Sequence, residues 1–223
     1  MVKYRVGKII VFALCVTLLF PLSACSYRNY ERFFYNVFEI TCTATDKFDS
    51  SGTAFILADG RIITNAHIIS YKNDGILTLY ETITAKQYNT NKQYTLTCVK
   101  IDYEKDIAIL SNAELAQSTI GLRMYNTQNA YIGQELITIG NLNNYGLCCN
   151  KGMLSAQLKP INNNGVVNNY FQTNIEISKG SSGGPVLTLN GEVLGIMTFK
   201  VRDSNYEYVD GMSFFIPIEN INF

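Results

Sequence analysis

The sequence predicts an all-β fold, and three observations carry that expectation. From Phe33 onward it runs in short stretches rich in Ile, Val, Thr, Phe and Tyr, the residue types that fit a pleated, half-buried surface. Each stretch is closed by a Gly, Asn or Asp cluster such as Ala58-Asp59-Gly60 or Asn162-Asn163-Asn164-Gly165, which is turn chemistry. Long apolar periodicity of the helical kind is missing. The length available fits one all-β unit or two small barrels sharing an interface, and 47% hydrophobic content excludes a disordered or collagen-like chain.

That length is shorter than the 223 residues of the chain, because the first segment reads as an export signal. Lys3, Arg5 and Lys8 form a basic region, and Ile9 to Phe20 is an apolar run too short to span a bilayer comfortably. Leu22-Ser23-Ala24-Cys25 resembles the lipobox of bacterial lipoproteins, in which the cysteine becomes the acylated first residue. Residues 1–24 are therefore expected to be a lipoprotein signal peptide and 25–32 a short tether. Acyl chains on Cys25 would anchor the exported domain to a bacterial membrane; the plainer alternative is a secretory signal with an incidental cysteine.

Strands are expected in order at Glu39–Thr45, Gly52–Leu57, Ile62–Thr64, Ile76–Tyr80, Tyr94–Ile101 and Ile107–Leu110, then at Glu135–Ile139, Met153–Leu158, Tyr170–Thr173, Val186–Leu189, Val193–Phe199 and Met212–Ile216. Six fall in each half. Ser111 to Leu122 is polar, divides the chain near its middle and reads as a crossover. The Asn-rich segments 141–150 and 162–169 read as surface loops.

Removing residues 1–24 takes away three basic residues and no acidic one, leaving 15 Lys and Arg against 18 Asp and Glu. No nucleic-acid partner is expected from that balance. Of six cysteines, Cys15 leaves with the signal and Cys25 is lipidated. Cys42, Cys98, Cys148 and Cys149 remain, with no spacing that selects a pairing; free thiols and a disulfide both stay open. They form no CxxC pair, so no metal or other cofactor is expected.

The chemistry concentrates in Gly180-Ser181-Ser182-Gly183-Gly184-Pro185. A serine hydroxyl attacks only when a base takes its proton and donors stabilise the oxyanion that forms. Gly180-x-Ser182-x-Gly184 also satisfies the nucleophile elbow of α/β-hydrolases, but that design needs a histidine after the serine. The single histidine of the chain is His67, which removes the esterase reading and leaves His67 as the imidazole for Ser182. It lies where a strand ends in a short helical turn. The third member should be a buried carboxylate: Asp106 stands at the entrance to Ile107-Ala108-Ile109-Leu110, whereas Asp102 and Asp74 sit in turn-like contexts.

These pieces resemble the trypsin-like peptidases, and among them the bacterial HtrA/Deg branch. The matching segments are Thr64-Asn65-Ala66-His67, Lys105 to Leu110, Gln172-Thr173-Asn174 through the serine hexapeptide, Gly191 to Ile196 and Gly211 to Pro217. The resemblance implies two six-stranded antiparallel barrels, about 33–115 and 120–218, with the site in the cleft between them. It implies a serine endopeptidase working through an acyl-enzyme on protein or peptide substrates, with an oxyanion hole from the N–H groups of Gly180 and Ser182. It places Glu176 at the base of the specificity pocket and Lys200 on its wall, where they form an ion pair, leave one charge for substrate, or point to solvent. Substrate would pair along Thr198, Phe199 and Lys200.

Two departures qualify the resemblance. Ser181 stands where digestive members carry an aspartate that receives a freed N-terminus, so that activation route is not expected. The chain ends a few residues past the last expected strand, so PDZ-linked assembly is not carried over, and the oligomeric state stays open. The rival expectation is a catalytically silent binding module of the same fold.

Overall fold

The computed structural model describes residues 29–163 and 166–222; the signal-like segment and Cys25 lie outside them. Helix α1 (Glu31–Phe34) leads into β1 (Val37–Thr43), β2 (Ser50–Ile56), β3 (Ile62–Thr64), helix α2 (Ala66–Ile69), β4 (Ser70–Asn73), β5 (Ile76–Leu79), β6 (Thr82–Gln87), β7 (Gln93–Thr95), β8 (Thr97–Asp102) and β9 (Ile107–Ser111). After helix α3 (Ala113–Ser118) come β10 (Glu135–Asn141), β11 (Leu147–Asn163), β12 (Val166–Thr173), β13 (Pro185–Thr188), β14 (Val193–Arg202) and β15 (Tyr208–Pro217). All belong to one compact unit that begins at Glu31.

β10–β11–β12–β15–β14–β13 close into a six-stranded barrel. The first half forms a sheet ordered β7–β6–β1–β2–β3–β9–β8. Its two end strands, β7 and β8, are separated in the chain by the single residue Leu96, whose N–H donates to Ile83 O at 2.8 Å. The sheet therefore curls back on itself, with β7 and β8 acting as one bent strand, and both halves are the antiparallel six-strand units expected from the sequence.

Strand alternation builds the first core. In β1, Phe38, Ile40 and Cys42 are fully buried while Thr41 and Thr43 face solvent, the period of two that a one-sided sheet imposes. They meet Ile56, Ile62, Ile83 and Leu110 from the facing strands. Leu136, Leu154, Phe171, Val186, Met197 and Phe215 fill the second barrel in the same way. Each fully buried Phe or Ile contributes roughly 1.5–3 kcal/mol of apolar burial.

Several expectations are corrected. β4 and β6 are strands the sequence reading passed over, and the expected strand 94–101 breaks at Leu96. Much of the two Asn-rich segments is ladder: β11 runs from 147 to 163 and pairs with β12 from Asn163↔Val166 inward. Partner-strand hydrogen bonds outweigh the weak local turn preference of Asn there. The crossover contains α3, whose first turn is capped by Asn112 Oδ1 accepting from Leu115 N at 3.0 Å. Cys42, Cys98, Cys148 and Cys149 are all free thiols. Burial pushes the Cys42 thiol up to about 12 and the Cys149 thiol up to about 11.

Candidate active site

β3 ends at Thr64, and the chain turns through Asn65 into α2, which carries His67 on its exposed side. Asp106 precedes β9 with φ of 57°, a left-handed conformation that Asp tolerates better than most residues. The side chain of Asn65 holds that turn by donating through Nδ2 to Asp106 O at 2.9 Å. β3 and β9 are neighbours, pairing Thr64 with Ala108, so the two residues meet across adjacent strand ends. Asp106 Oδ1 accepts from His67 N at 2.9 Å, and Oδ2 lies 2.8 Å from His67 Nδ1. A carboxylate only accepts, so Nδ1 carries the proton and the neutral ring keeps its lone pair on Nε2. Asp102, by contrast, serves its own turn by accepting from Lys105 N at 2.9 Å.

Ser182 lies on the turn between β12 and β13, against the first barrel. Its hydroxyl donates to Thr198 O at 2.9 Å and not to the imidazole. Thr198 and Phe199 line both the cavity that holds His67 and Asp106 and the cavity that holds Ser182. The structure thus joins His67 to Asp106 and sets Ser182 on the other side of a shared wall. Asn65 Nδ2 also reaches Thr198 Oγ1 at 3.2 Å, tying that wall to the first barrel.

Much of the backbone of this turn is held by hydrogen bonds. The N–H of Ser181 donates to Ser178 O at 3.0 Å, that of Gly183 to Met197 O at 2.9 Å and that of Gly184 to Ser181 O at 3.1 Å. The N–H groups of Gly180 and Ser182 donate to no acceptor among the described residues. Two glycines make the turn possible. Gly180 has φ of +92°, and a Cβ there would lie 1.9 Å from Asn141 O; Gly183 has φ of +82°, and a Cβ would lie 2.1 Å from Thr53 O. Ser181 is buried, and its hydroxyl accepts from Ser178 N at 3.2 Å.

Below Ser182, Lys200 Nζ lies 2.6 Å from Glu176 Oε2 and 3.0 Å from Asp210 Oδ1. The other Glu176 oxygen accepts from Gly211 N at 3.0 Å, so neither oxygen points unpaired into the pocket. The Lys200 ammonium, and after it the Gly211 N–H, hold the Glu176 carboxyl below the usual carboxylate range. Glu176 in turn holds the Lys200 ammonium above its ordinary value. The cavity beside Ser182 is lined by Ile177, Phe199 and the cations Lys179, Lys200 and Arg202, with no carboxylate in its wall. β13 pairs with β14 only as far as Ile196, while Phe199 and Lys200 pair with β15 on the opposite side. The outer edge of β14 from Thr198 to Lys200 is left without a strand partner among the described residues.

Sequence reasoning named His67, Asp106, Ser182, Glu176 and Lys200. It missed Thr53, Asn65, Asn141 and Asp210 as members of the site. Asn65 lies within Thr64-Asn65-Ala66-His67, and its position between a strand and the histidine turn is the available signal; Thr53 and Asn141 act by long-range contact that spacing does not disclose.

Residues 52–196 match the family model described as a trypsin-like peptidase domain. The chain is 29% identical over 177 residues to the serine endoprotease DegS of Haemophilus influenzae, covering 77% of this chain and 48% of that protein. It is 30% identical over 174 residues to a probable periplasmic serine endoprotease, DegP-like, of Pseudomonas fluorescens, covering 76% and 33%. The chain thus spans between a third and a half of these relatives. A solved serine endoprotease from Yersinia pestis superposes with a TM-score of 0.67 at 25% identity, over 86% of this chain and 61% of that one. With its two curled β units and a family match running from β2 into β14, the chain belongs to the trypsin-like peptidase domain family.

Proposed function

We propose that the protein is a serine endopeptidase in which Ser182 is the nucleophile, His67 its general base and Asp106 the carboxylate that orients and stabilises the imidazolium. Rotation of the Ser182 hydroxyl away from Thr198 O brings it to Nε2 when substrate binds; such bonds are often loose in unliganded enzymes. Nε2 takes the hydroxyl proton as Oγ attacks the peptide carbonyl. The imidazolium then gives that proton to the leaving amine, and water repeats the sequence on the acyl-enzyme. The observation that most supports this reading is the pair of N–H groups, Gly180 and Ser182, that donate to no acceptor among the described residues, on the turn that carries the Ser182 hydroxyl. Two such donors are what a developing oxyanion requires.

Substrate adds as a strand along Thr198, Phe199 and Lys200, whose outer edge is open. The residue before the cleaved bond enters the cavity beside Ser182. The Glu176 carboxylate, already held by Lys200 and Gly211 N–H, is not available to a substrate cation, and three cations line the wall. The pocket therefore disfavours Lys and Arg. The protein acts outside the cytoplasm, tethered through lipid on Cys25, a reading that rests on the lipobox-like sequence and on the periplasmic designation of the DegP-like relative.

Incubation with a fluorophosphonate probe followed by mass mapping tests the proposal. Labelling confined to Ser182, absent in Ser182→Ala and suppressed in His67→Ala, is expected. A folded protein that takes up no probe would favour the silent binding module.

A further inference from the structure

The four carbonyls that accompany the Lys179–Ser182 turn are each held. Asn143 N donates to Lys179 O at 2.6 Å, Gly184 N to Ser181 O at 3.1 Å and Thr53 N to Ser182 O at 3.0 Å. The fourth, Gly180 O, accepts from Thr53 Oγ1 at 2.7 Å. Two of the four restraints therefore come from one residue, and that residue belongs to β2 of the opposite barrel. Thr53 is fully buried. Its hydroxyl has one proton, given to Gly180 O, and its oxygen accepts from Asn141 N at 2.9 Å, so neither direction is left to choice.

This arrangement bears on the N–H groups because a trans peptide is planar, with its C=O and N–H pointing in opposite directions; no peptide among the described residues is cis. Holding Lys179 O against the 141–143 segment turns the Gly180 N–H away from that segment. Holding Gly180 O against Thr53 fixes the next peptide plane and so the rotation about Gly180. Glycine at φ of +92° has no side chain to oppose a flip of the preceding peptide. The opposition comes from its neighbours, and Thr53 is the one that acts through a side chain.

We propose that Thr53 is the positioning residue of the oxyanion hole: its buried hydroxyl, bridging Gly180 O and Asn141 N across the barrel interface, holds the Gly180 N–H on the Ser182 side before substrate arrives. The inference rests on the peptidase reading above and adds to it that the first barrel supplies more than His67 and Asp106.

Steady-state hydrolysis of the best p-nitroanilide peptide from a substrate library tests it, comparing wild type, Ser182→Ala, Thr53→Val and Thr53→Ser. Valine keeps the shape and removes the hydroxyl, leaving Gly180 O and Asn141 N unpaired. Loss of one oxyanion donor outright costs about 10²–10³ in kcat, so an indirect displacement is expected to lower kcat about 10- to 100-fold with KM within about threefold. Thr53→Ser should restore most of the rate, and the acid limb of the pH profile should not move, because His67 and Asp106 are untouched. A kcat for Thr53→Val within about threefold of wild type, or an equal loss in Thr53→Ser, overturns the inference while leaving the peptidase reading intact. Should Thr53→Val fail to fold, Thr53→Ser alone decides: near-full kcat supports the role of the hydroxyl, and an inactive folded protein contradicts it. Wild type indistinguishable from Ser182→Ala overturns both readings together.

Discussion

At the residue scale, the cluster of Lys200, Glu176 and Asp210 has the most direct consequence. The side chain of Lys200 is only 9% exposed, and it lies between two carboxylates. Glu176, held low, stays ionised as the pH falls below the ordinary carboxylate range, and Lys200, held high, stays protonated above the ordinary amine range. The ion pair is thus complete between the ordinary carboxylate and amine ranges, and is lost as acid titrates Glu176 through its lowered value or base titrates Lys200 through its raised one. Specificity should accordingly be constant from about pH 5 to 9, a window in which both groups keep their charge. Lys200→Ala leaves Glu176 with a single donor and an unneutralised charge at the pocket. Relative cleavage after Lys or Arg against Leu is expected to rise about two- to fivefold, an amount in keeping with one partly exposed charge; unchanged product profiles by mass spectrometry would contradict this. The sequence placed Glu176 and Lys200 at the pocket only through family resemblance and left three orientations open. Side-chain geometry shows the ion pair, and Asp210 joins it from the part of β15 that precedes the expected strand Met212–Ile216.

At the element scale, the site is the place where strand ends from two barrels interlock. Thr53 on β2 and Thr64 on β3 pack against Gly183, with Thr64 Oγ1 donating to Thr53 O at 2.7 Å. An added methyl at Gly183 would meet Thr53 O at 2.1 Å and Thr64 Oγ1 at 2.4 Å. Gly183→Ala is expected to destabilise by at least about 2 kcal/mol, since the left-handed conformation alone costs of order 1–3 kcal/mol and the overlap adds to it. Urea denaturation checks this, and an unchanged midpoint would argue that the barrels do not meet as described. Strands with clean alternation, such as β1, or continuous apolar runs, such as β3 and β9, were legible from sequence because burial pattern determines them. β4, β6 and the Asn-rich parts of β11 and β12 were not, because their residues are mostly polar and no run of buried apolar side chains announces their ladders. Asn in particular reads as a turn former until a neighbouring strand supplies its hydrogen bonds.

At the scale of the whole molecule, the order of the chain already divided the labour between the halves. In the proposed triad His67 and Asp106 come from the first half and Ser182 from the second, and the lone histidine left one imidazole to propose for Ser182. What the sequence could not convey is how far the halves depend on each other. Asn65 reaches from the first barrel to Thr198 in the second, and Thr53 holds both Gly180 and Ser182, so the nucleophile turn is shaped by the barrel that does not contain it. The central claim is that this shared cleft hydrolyses peptide bonds through Ser182 and His67. The measurement that tests it most directly is peptide turnover by wild type and Ser182→Ala across about pH 5–9. The account predicts a wild-type rate that rises with pH as the imidazole becomes neutral, and a loss on the order of 10⁶-fold in kcat for Ser182→Ala. A rate that is flat with pH, or that survives in Ser182→Ala, would contradict it.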